Sequence, residues 1–260
     1  MAKVRTLVLR APGTNCDGEA AFAFQQAGAE VSLIHVNRLI RREERLADYQ
    51  IMVIPGGFTY GDDIAAGRVL ANELSLNLGE EIPKFIKEGG LILGICNGFQ
   101  VLVKTGFLPD PSRSKTQSVT LTNNDSGKFE CRWTYLAVNK ESPCVFTQGI
   151  DRMYLPVAHG EGKLVTLNNA LSDANVVLYY TDDQGDTSAG YPHNPNGSEG
   201  NIAGICDNSG HIFGLMPHPE RFVRGTQHPQ WTRLTAQKYG DGLGIFRNAV
   251  KYAKSRDTLI

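Results

Sequence analysis

A chain of 260 residues, 41% hydrophobic and 20% charged, has the composition of a globular protein and is long enough for one large α/β core. Its formal net charge of −1 excludes the basic surplus that binds nucleic acid. No apolar run has the length of a membrane helix and no stretch has the form of a signal peptide, so a cytoplasmic protein without membrane or nucleic-acid partners is expected. The five cysteines (Cys16, Cys96, Cys131, Cys144, Cys206) are odd in number, scattered and without a CxxC spacing. That favours reduced thiols over a disulfide framework or a zinc site.

Val4–Leu9 predicts a first strand, followed by a turn rich in Pro and Gly. Glu19–Ala29 has helical spacing and ends near Gly28, and Val31–Val36 reads as a strand. Leu39–Tyr49 predicts a charged helix whose run Arg41–Arg45 forms a solvated face. Ile51–Ile54 is a buried-type strand ending in Pro55-Gly56-Gly57; Leu70–Phe85 reads as helix and Leu91–Ile95 again as strand. Ser118–Ala137 and Lys163–Tyr180 read as antiparallel β-structure with polar turns. A last strand, His211–Met216, leads into Pro217-His218-Pro219-Glu220, and Asp241–Ser255 predicts a closing helix. Strands alternating with helices predict an α/β fold, an open, mostly parallel, doubly wound sheet with helices on both faces and an added antiparallel section. The absence of repeats and linkers favours one domain over residues 1–260. Met1 and the immediate first strand are read as a free subunit rather than a piece of a longer chain.

Ligands of such sheets sit at the carboxyl ends of the strands. Two ends are conspicuous: Gly57 after Ile51–Ile54, and Cys96 after Leu91–Ile95. Gly94 and Gly98 flank Cys96 as a nucleophile elbow requires, and a helix starting at Asn97 aims its first N–H groups at the thiol. Taken alone, GxCxG fits a buried structural thiol as well as a nucleophile. His218 and Glu220 add a base and its orienter: Pro219 holds His218 extended, and residues two apart in an extended segment point the same way. Backbone N–H groups of Gly57 and Asn97 then make a candidate oxyanion hole. His35, His193, His211 and His228 lack ligand-like spacing, so no metal is assigned. No Walker-type GxxxxGK[ST] occurs, and Gly240, Gly242 and Gly244 follow no strand, so they are read as a loop rather than a dinucleotide fingerprint.

PGG (55–57), GICNGFQ (94–100) and PHPER (217–221) resemble class I, triad-type glutamine amidotransferases. GTNCDGE (13–19), GGFTYGDD (56–63), AHGEG (158–162), NPNGS (194–198) and MPHPERF (216–222) are similar to one family among them, the glutaminase components of phosphoribosylformylglycinamidine synthase, over nearly the whole chain. The resemblance implies a flavodoxin-like sheet. It implies that Cys96 attacks the side-chain amide of L-glutamine, that His218 moves the protons and that Glu220 orients His218. It implies glutamine contacts at Gln100, with Gly56, Phe58, His159 and Glu161 lining or closing the pocket. It also implies a synthetase partner that uses ATP and Mg²⁺ to convert formylglycinamide ribonucleotide to the amidine, with no cofactor in this chain. A small bridging subunit is a further partner the family suggests, although Trp231 and GDGLGIFRNAVKY (240–252) resemble the end of the fused, single-chain version. Other readings are the glutaminase of GMP or CTP synthesis, against which Asn97 and NPNGS argue, a Cys hydrolase on a related sheet, and a non-catalytic module. The last two are disfavoured by the late His-x-Glu pair and by the presence of all three site residues.

Overall fold

The computed structural model describes residues 3–111, 117–167, 171–172, 175–235 and 237–257. Eleven strands are present among them: β1 (Arg5–Arg10), β2 (Glu30–His35), β3 (Ile51–Ile54), β4 (Leu91–Ile95), β5 (Val119–Thr122), β6 (Glu130–Val138), β7 (Arg152–His159), β8 (Lys163–Thr166), β9 (Val176–Thr181), β10 (Ile202–Cys206) and β11 (Ile212–Leu215). The helices are α1 (Asp17–Gln26), α2 (Val36–Ile40), α3 (Arg68–Leu78), α4 (Glu81–Lys87), α5 (Asn97–Thr105) and α6 (Leu243–Asp257). Nine strands form one sheet in the order β2-β1-β3-β4-β11-β10-β9-β6-β7. The first five are parallel and the rest pair antiparallel, while β5 and β8 form a separate ribbon.

From β1 the chain steps one way to β2 through α1, and from β3 the other way to β4 through α3 and α4. Right-handed crossovers of opposite direction place these helices on opposite faces, as expected for a doubly wound sheet. β3 and β4 are buried along their whole length, hence their continuous apolar sequences IMVI and LILGI. α5 lies very close to the sheet because Gly94 and Gly214, paired across β4 and β11, leave room for it. A Cβ at Gly94 would meet Leu102 at 2.5 Å, and one at Gly214 would meet Phe99 at 2.1 Å. Phe99, Val101, Leu102 and Val103 are consequently buried, each side chain contributing roughly 1.5–3 kcal/mol.

The structure departs from the sequence expectations in three places. Leu39–Tyr49 is not a helix: α2 stops at Ile40, Arg42 takes a left-handed conformation, and a single 3₁₀ turn follows at Leu46–Asp48. Arg38 closes that bend by accepting the N–H groups of Glu43 and Glu44 on its carbonyl while its guanidinium pairs with both carboxylates. The Arg41–Arg45 run is therefore a solvated turn. Leu70–Phe85 is two helices, broken at Gly79-Glu80; Pro83 has no N–H to give to the Gly79 carbonyl, so one continuous helix would lack that bond. The antiparallel section is present as expected: β6 and β9 extend the main sheet, and β5 and β8 form the separate ribbon. Two of its strands, β7 and β10, were not anticipated, and residues 168–170 and 173–174 of the Lys163–Tyr180 stretch lie outside the described residues. Among the described residues no helix is long and apolar enough to cross a membrane.

Candidate active site

Cys96 caps α5 with φ 51° and ψ −104°, a strained left-handed conformation for a residue bearing a side chain. The elbow is held by both flanking glycines: a Cβ at Gly98 would lie 1.8 Å from the Ile54 carbonyl oxygen, and one at Gly94 would lie 2.7 Å from that of Gly98. The Cys96 N–H donates to Leu215 O at 2.8 Å, which ties the elbow to β11, and the thiol donates to Ala158 O at 3.7 Å.

Beyond β11 the chain turns, and His218 N–H donates to Pro156 O of β7 at 2.8 Å. The His218 Nδ1 and Glu220 Oε1 lie 2.6 Å apart, both side chains buried. This orientation places Nδ1 on the carboxylate and leaves Nε2 buried with no formed hydrogen bond. Burial alone pushes the imidazole pKa down, but the charges of Glu220 and Cys96 outweigh it and hold His218 well above the ordinary histidine value. Such a pair can shuttle a proton beside a sulfur nucleophile.

Gly56 sits where His218, Cys16 and Cys96 converge: a Cβ there would lie 2.9 Å from His218 Cε1, 3.1 Å from Cys16 Sγ and 3.5 Å from Cys96 Cβ. Gly57 has φ 145° and is pressed against residues 13–15, so only glycine fits. As the first residue of α5, Asn97 carries an N–H with no intrahelical acceptor, available to an anion beside the thiol.

The Asn97 side chain, not foreseen as a structural hub, ties α5 to the 58–67 loop. Its Oδ1 accepts from Thr59 N–H (3.3 Å) and Thr59 Oγ1 (2.7 Å), and its Nδ2 donates to Asp62 Oδ1 (3.1 Å) and Gln100 Oε1 (3.0 Å). Gln100 Nε2 in turn donates to Glu161 O at 2.6 Å, and Glu161 Oε2 accepts from Ala66 N–H at 3.4 Å. Gln100 and Glu161 thus join α5, the 58–67 loop and the AHGEG turn. Phe58, in contrast, is 48% exposed next to Gly57. Burial raises the Asp62 carboxyl pKa and lowers that of Lys104 nearby.

His159 is buried, its Nδ1 3.1 Å from Asn124 Oδ1, and burial followed by the nearby His218 charge lowers its pKa to about 3. The NPNGS stretch underpins this turn: Asn196 Nδ2 donates to Gly162 O and to Tyr180 Oη, while Asn196 Oδ1 accepts from Ser198. The other histidines serve elsewhere: His35 Nδ1 accepts from Asn37 N–H, His211 bonds Tyr252, and His228 packs with Trp133, Tyr154 and Phe222. Gly240 and Gly242 let the tail loop close behind the PHPER segment, where a Cβ would strike Phe222 O or Pro219 O. Cys16, His218 and Glu220 each offer a ligand atom within 4.8 Å of the others, and within this buried cluster His218 Nδ1 and Glu220 Oε1 are bonded to one another. Cys16 and Asp62 escaped the sequence reading; GTNCDGE and GGFTYGDD contain them, yet neither string announces a contact with His218 or Asn97.

Residues 3–253 match the family model described as CobB/CobQ-like glutamine amidotransferase domain. The chain belongs to this glutamine amidotransferase family. It is 61% identical over 254 residues to phosphoribosylformylglycinamidine synthase subunit PurQ of Dehalococcoides mccartyi, covering 98% of this chain and 99% of the relative. It is 42% identical to the subunit of the same name from Methanococcus maripaludis, over 95% of this chain and 97% of that one. The amidotransferase fold is shared with a chain of PurLQS from Thermotoga maritima at TM-score 0.73 and 35% identity, covering 96% and 99% of the two chains. At 12% identity and TM-score 0.54, over 97% and 94% of the chains, the CTPS glutaminase domain of Trypanosoma brucei shares the fold alone.

Proposed function

We propose that this chain is the glutaminase component of phosphoribosylformylglycinamidine synthase, one amidotransferase domain acting in the cytoplasm. It releases ammonia from L-glutamine for a synthetase subunit. That partner uses ATP and Mg²⁺ to convert formylglycinamide ribonucleotide to formylglycinamidine ribonucleotide, and this chain needs no cofactor of its own. The observation that carries the reading is the buried His218–Glu220 pair beside the strained Cys96 elbow, in a chain 61% identical to a PurQ subunit along nearly its full length.

His218 takes the thiol proton of Cys96 as the sulfur attacks the side-chain amide carbon of glutamine. The carbonyl oxygen takes up negative charge facing the N–H groups of Gly57 and Asn97. Collapse breaks the C–N bond as His218 gives its proton to the leaving ammonia, and a γ-glutamyl thioester remains on Cys96. His218 then takes a proton from water, which attacks the thioester; glutamate leaves and the sulfur regains its proton. Glu220 holds the imidazole through Nδ1 and leaves Nε2 to carry the proton. Gly56, Phe58, Gln100, His159 and Glu161 shape the glutamine pocket, Gln100 and Glu161 through the network centred on Asn97. A small bridging subunit is the further component to be sought in the complex.

The test is ammonia release from L-glutamine by the chain with its synthetase, together with the identity of the aminated product. Formylglycinamidine ribonucleotide is expected. Amination of xanthosine monophosphate or UTP instead overturns the assignment.

A further inference from the structure

The GTNC stretch packs against the oxyanion loop, and its thiol has no place in the reaction above. Cys16 N–H donates to Gly56 O at 3.2 Å, Phe58 N–H to Gly13 O at 3.0 Å and Tyr60 N–H to Pro12 O at 2.7 Å, so this backbone cradles the loop that carries Gly57. The side chain reaches further. Cys16 is 1% exposed, and its sulfur shares with the His218 ring and Cys96 the small space left by the missing side chain of Gly56. Its S–H donates to Asn15 Oδ1 at 3.1 Å, and its sulfur accepts from Arg221 Nη2 at 3.2 Å, Arg221 being held in turn by Glu19. With its proton turned to Asn15, Cys16 presents lone pairs, not a donor, toward the neighbouring imidazole.

We propose that Cys16 is a positioning residue for the amidotransferase reaction: its sulfur accepts from the His218 imidazolium, stabilising the charged ring and holding it between Glu220 and Cys96. Burial comes first in raising the Cys16 pKa, so the group is a neutral thiol and competes neither as nucleophile nor as base. The groups facing His218 are Glu220 and Arg221 from its own segment, Cys96 from the start of α5, His159 from the end of β7 and Cys16 from the start of α1. Glu220 and Cys96 favour the imidazolium by charge, His159 is neutral, and Arg221 is turned onto Cys16 and Glu19. Cys16 is thus the uncharged acceptor among them. Asparagine, glutamine or a larger residue at position 16 would crowd the space that Gly56 leaves, and alanine would leave the ring edge against apolar atoms.

The inference rests on His218 being the proton carrier proposed above, and the experiment separates the two. Histidine ring nitrogens are titrated by ¹⁵N NMR in the wild type, Cys16→Ala and Cys16→Ser, with the His218 signals assigned by their absence in His218→Asn. Loss of one neutral hydrogen bond to the imidazolium lowers the His218 midpoint by roughly half to one pH unit in Cys16→Ala, and by less in Cys16→Ser, where an acceptor remains. The limb of the kcat/KM profile for glutamine that tracks His218 moves with it. An unmoved midpoint and limb in a variant with the wild-type Tm overturn the proposal and leave Cys16 a packing residue. Should Cys16→Ala not fold, Cys16→Val fills the same space without an oxygen or sulfur acceptor and is read the same way. If His218→Asn releases ammonia at the wild-type rate, it is the role of His218, not that of Cys16, that fails.

Discussion

In the parallel half of the sheet, Gly57 and Cys96 stand just past the carboxyl ends of β3 and β4, where an open α/β sheet places its ligands. The antiparallel half supplies no residue to the proposed triad, yet it reaches the same point. β7 is five places from β4 in the strand order, but Ala158 O accepts from the Cys96 thiol and Pro156 O from the His218 N–H. The sheet therefore curls until its far edge meets the end of β11. One half places the atoms of the proposed triad by local backbone geometry. The other steadies them through contacts between residues about 60 positions apart, as in Cys96–Ala158 and His218–Pro156. Substitutions in the two halves should consequently fail in different ways.

The largest effects belong to the parallel half. Cys96→Ala should lower glutamine hydrolysis by at least about 10³-fold while leaving the Tm and binding to the synthetase intact. Ammonia release at the wild-type rate would end the mechanism. Glu220→Gln, which keeps the shape but not the charge on His218, should cost on the order of 10²–10⁴-fold in kcat with little change in KM, measured under saturating glutamine. Gly98→Ala acts on folding instead: with the Ile54 carbonyl 1.8 Å from the added carbon, α5 must lift off β3, and a loss of about 3 kcal/mol in denaturant unfolding is expected.

This asymmetry governs what the sequence discloses. GxCxG after an apolar strand and His-x-Glu after another are short-range patterns, because the strain at Cys96 and the shared direction of His218 and Glu220 arise within a few residues. The strands of the parallel half are buried on both faces and read as continuous apolar runs. β7 alternates buried and half-buried residues around Pro156, and β10 contains a glycine and a register shift, so neither has so plain a signature. The Asn97 hub and the Cys16–Arg221 contact join residues 35 and 205 positions apart, a distance over which side-chain polarity predicts nothing. Leu39–Tyr49 misled for a different reason. Its helical spacing is real, but Arg38 satisfies two carboxylates and two backbone N–H groups better in a turn than along a helix.

The seam between the halves should show intermediate effects. Asn97→Leu keeps the backbone N–H of the proposed oxyanion hole but removes the four side-chain bonds to Thr59, Asp62 and Gln100. A fall of roughly 10- to 100-fold in kcat/KM is expected from mispositioned loops, with Cys96 still alkylated by iodoacetamide. Undiminished kcat/KM would show that the hub holds the fold alone. In the antiparallel half, Asn196→Ala removes one hydrogen-bond partner each from Gly162 O and the Ser198 N–H. It should cost about 1–3 kcal/mol of stability and raise KM for glutamine more than it lowers kcat.

The smallest effect separates the halves by the sign of their pH dependence. The folded pKa of His159, about 3, lies below its ordinary value of 6.5, so the folded state disfavours its charged form. Its contribution to stability is complete above about pH 6.5 and is lost as pH falls toward 3, because the unfolded chain binds a proton that the folded chain refuses. His218 runs the other way: its folded pKa is raised, so its stabilisation is complete below the ordinary value of 6.5 and is lost as pH rises through the folded value. His159→Gln should flatten the decline of Tm between pH 6.5 and 3 while leaving the alkaline side unchanged. His218→Gln should leave the acid decline in place and remove stability that the wild type loses only at higher pH. Equal acid slopes for wild type and His159→Gln would mean that the antiparallel half does not meet the site through a neutral buried imidazole, and the turn it supports would then owe its position to the Asn124 and Asn196 contacts alone.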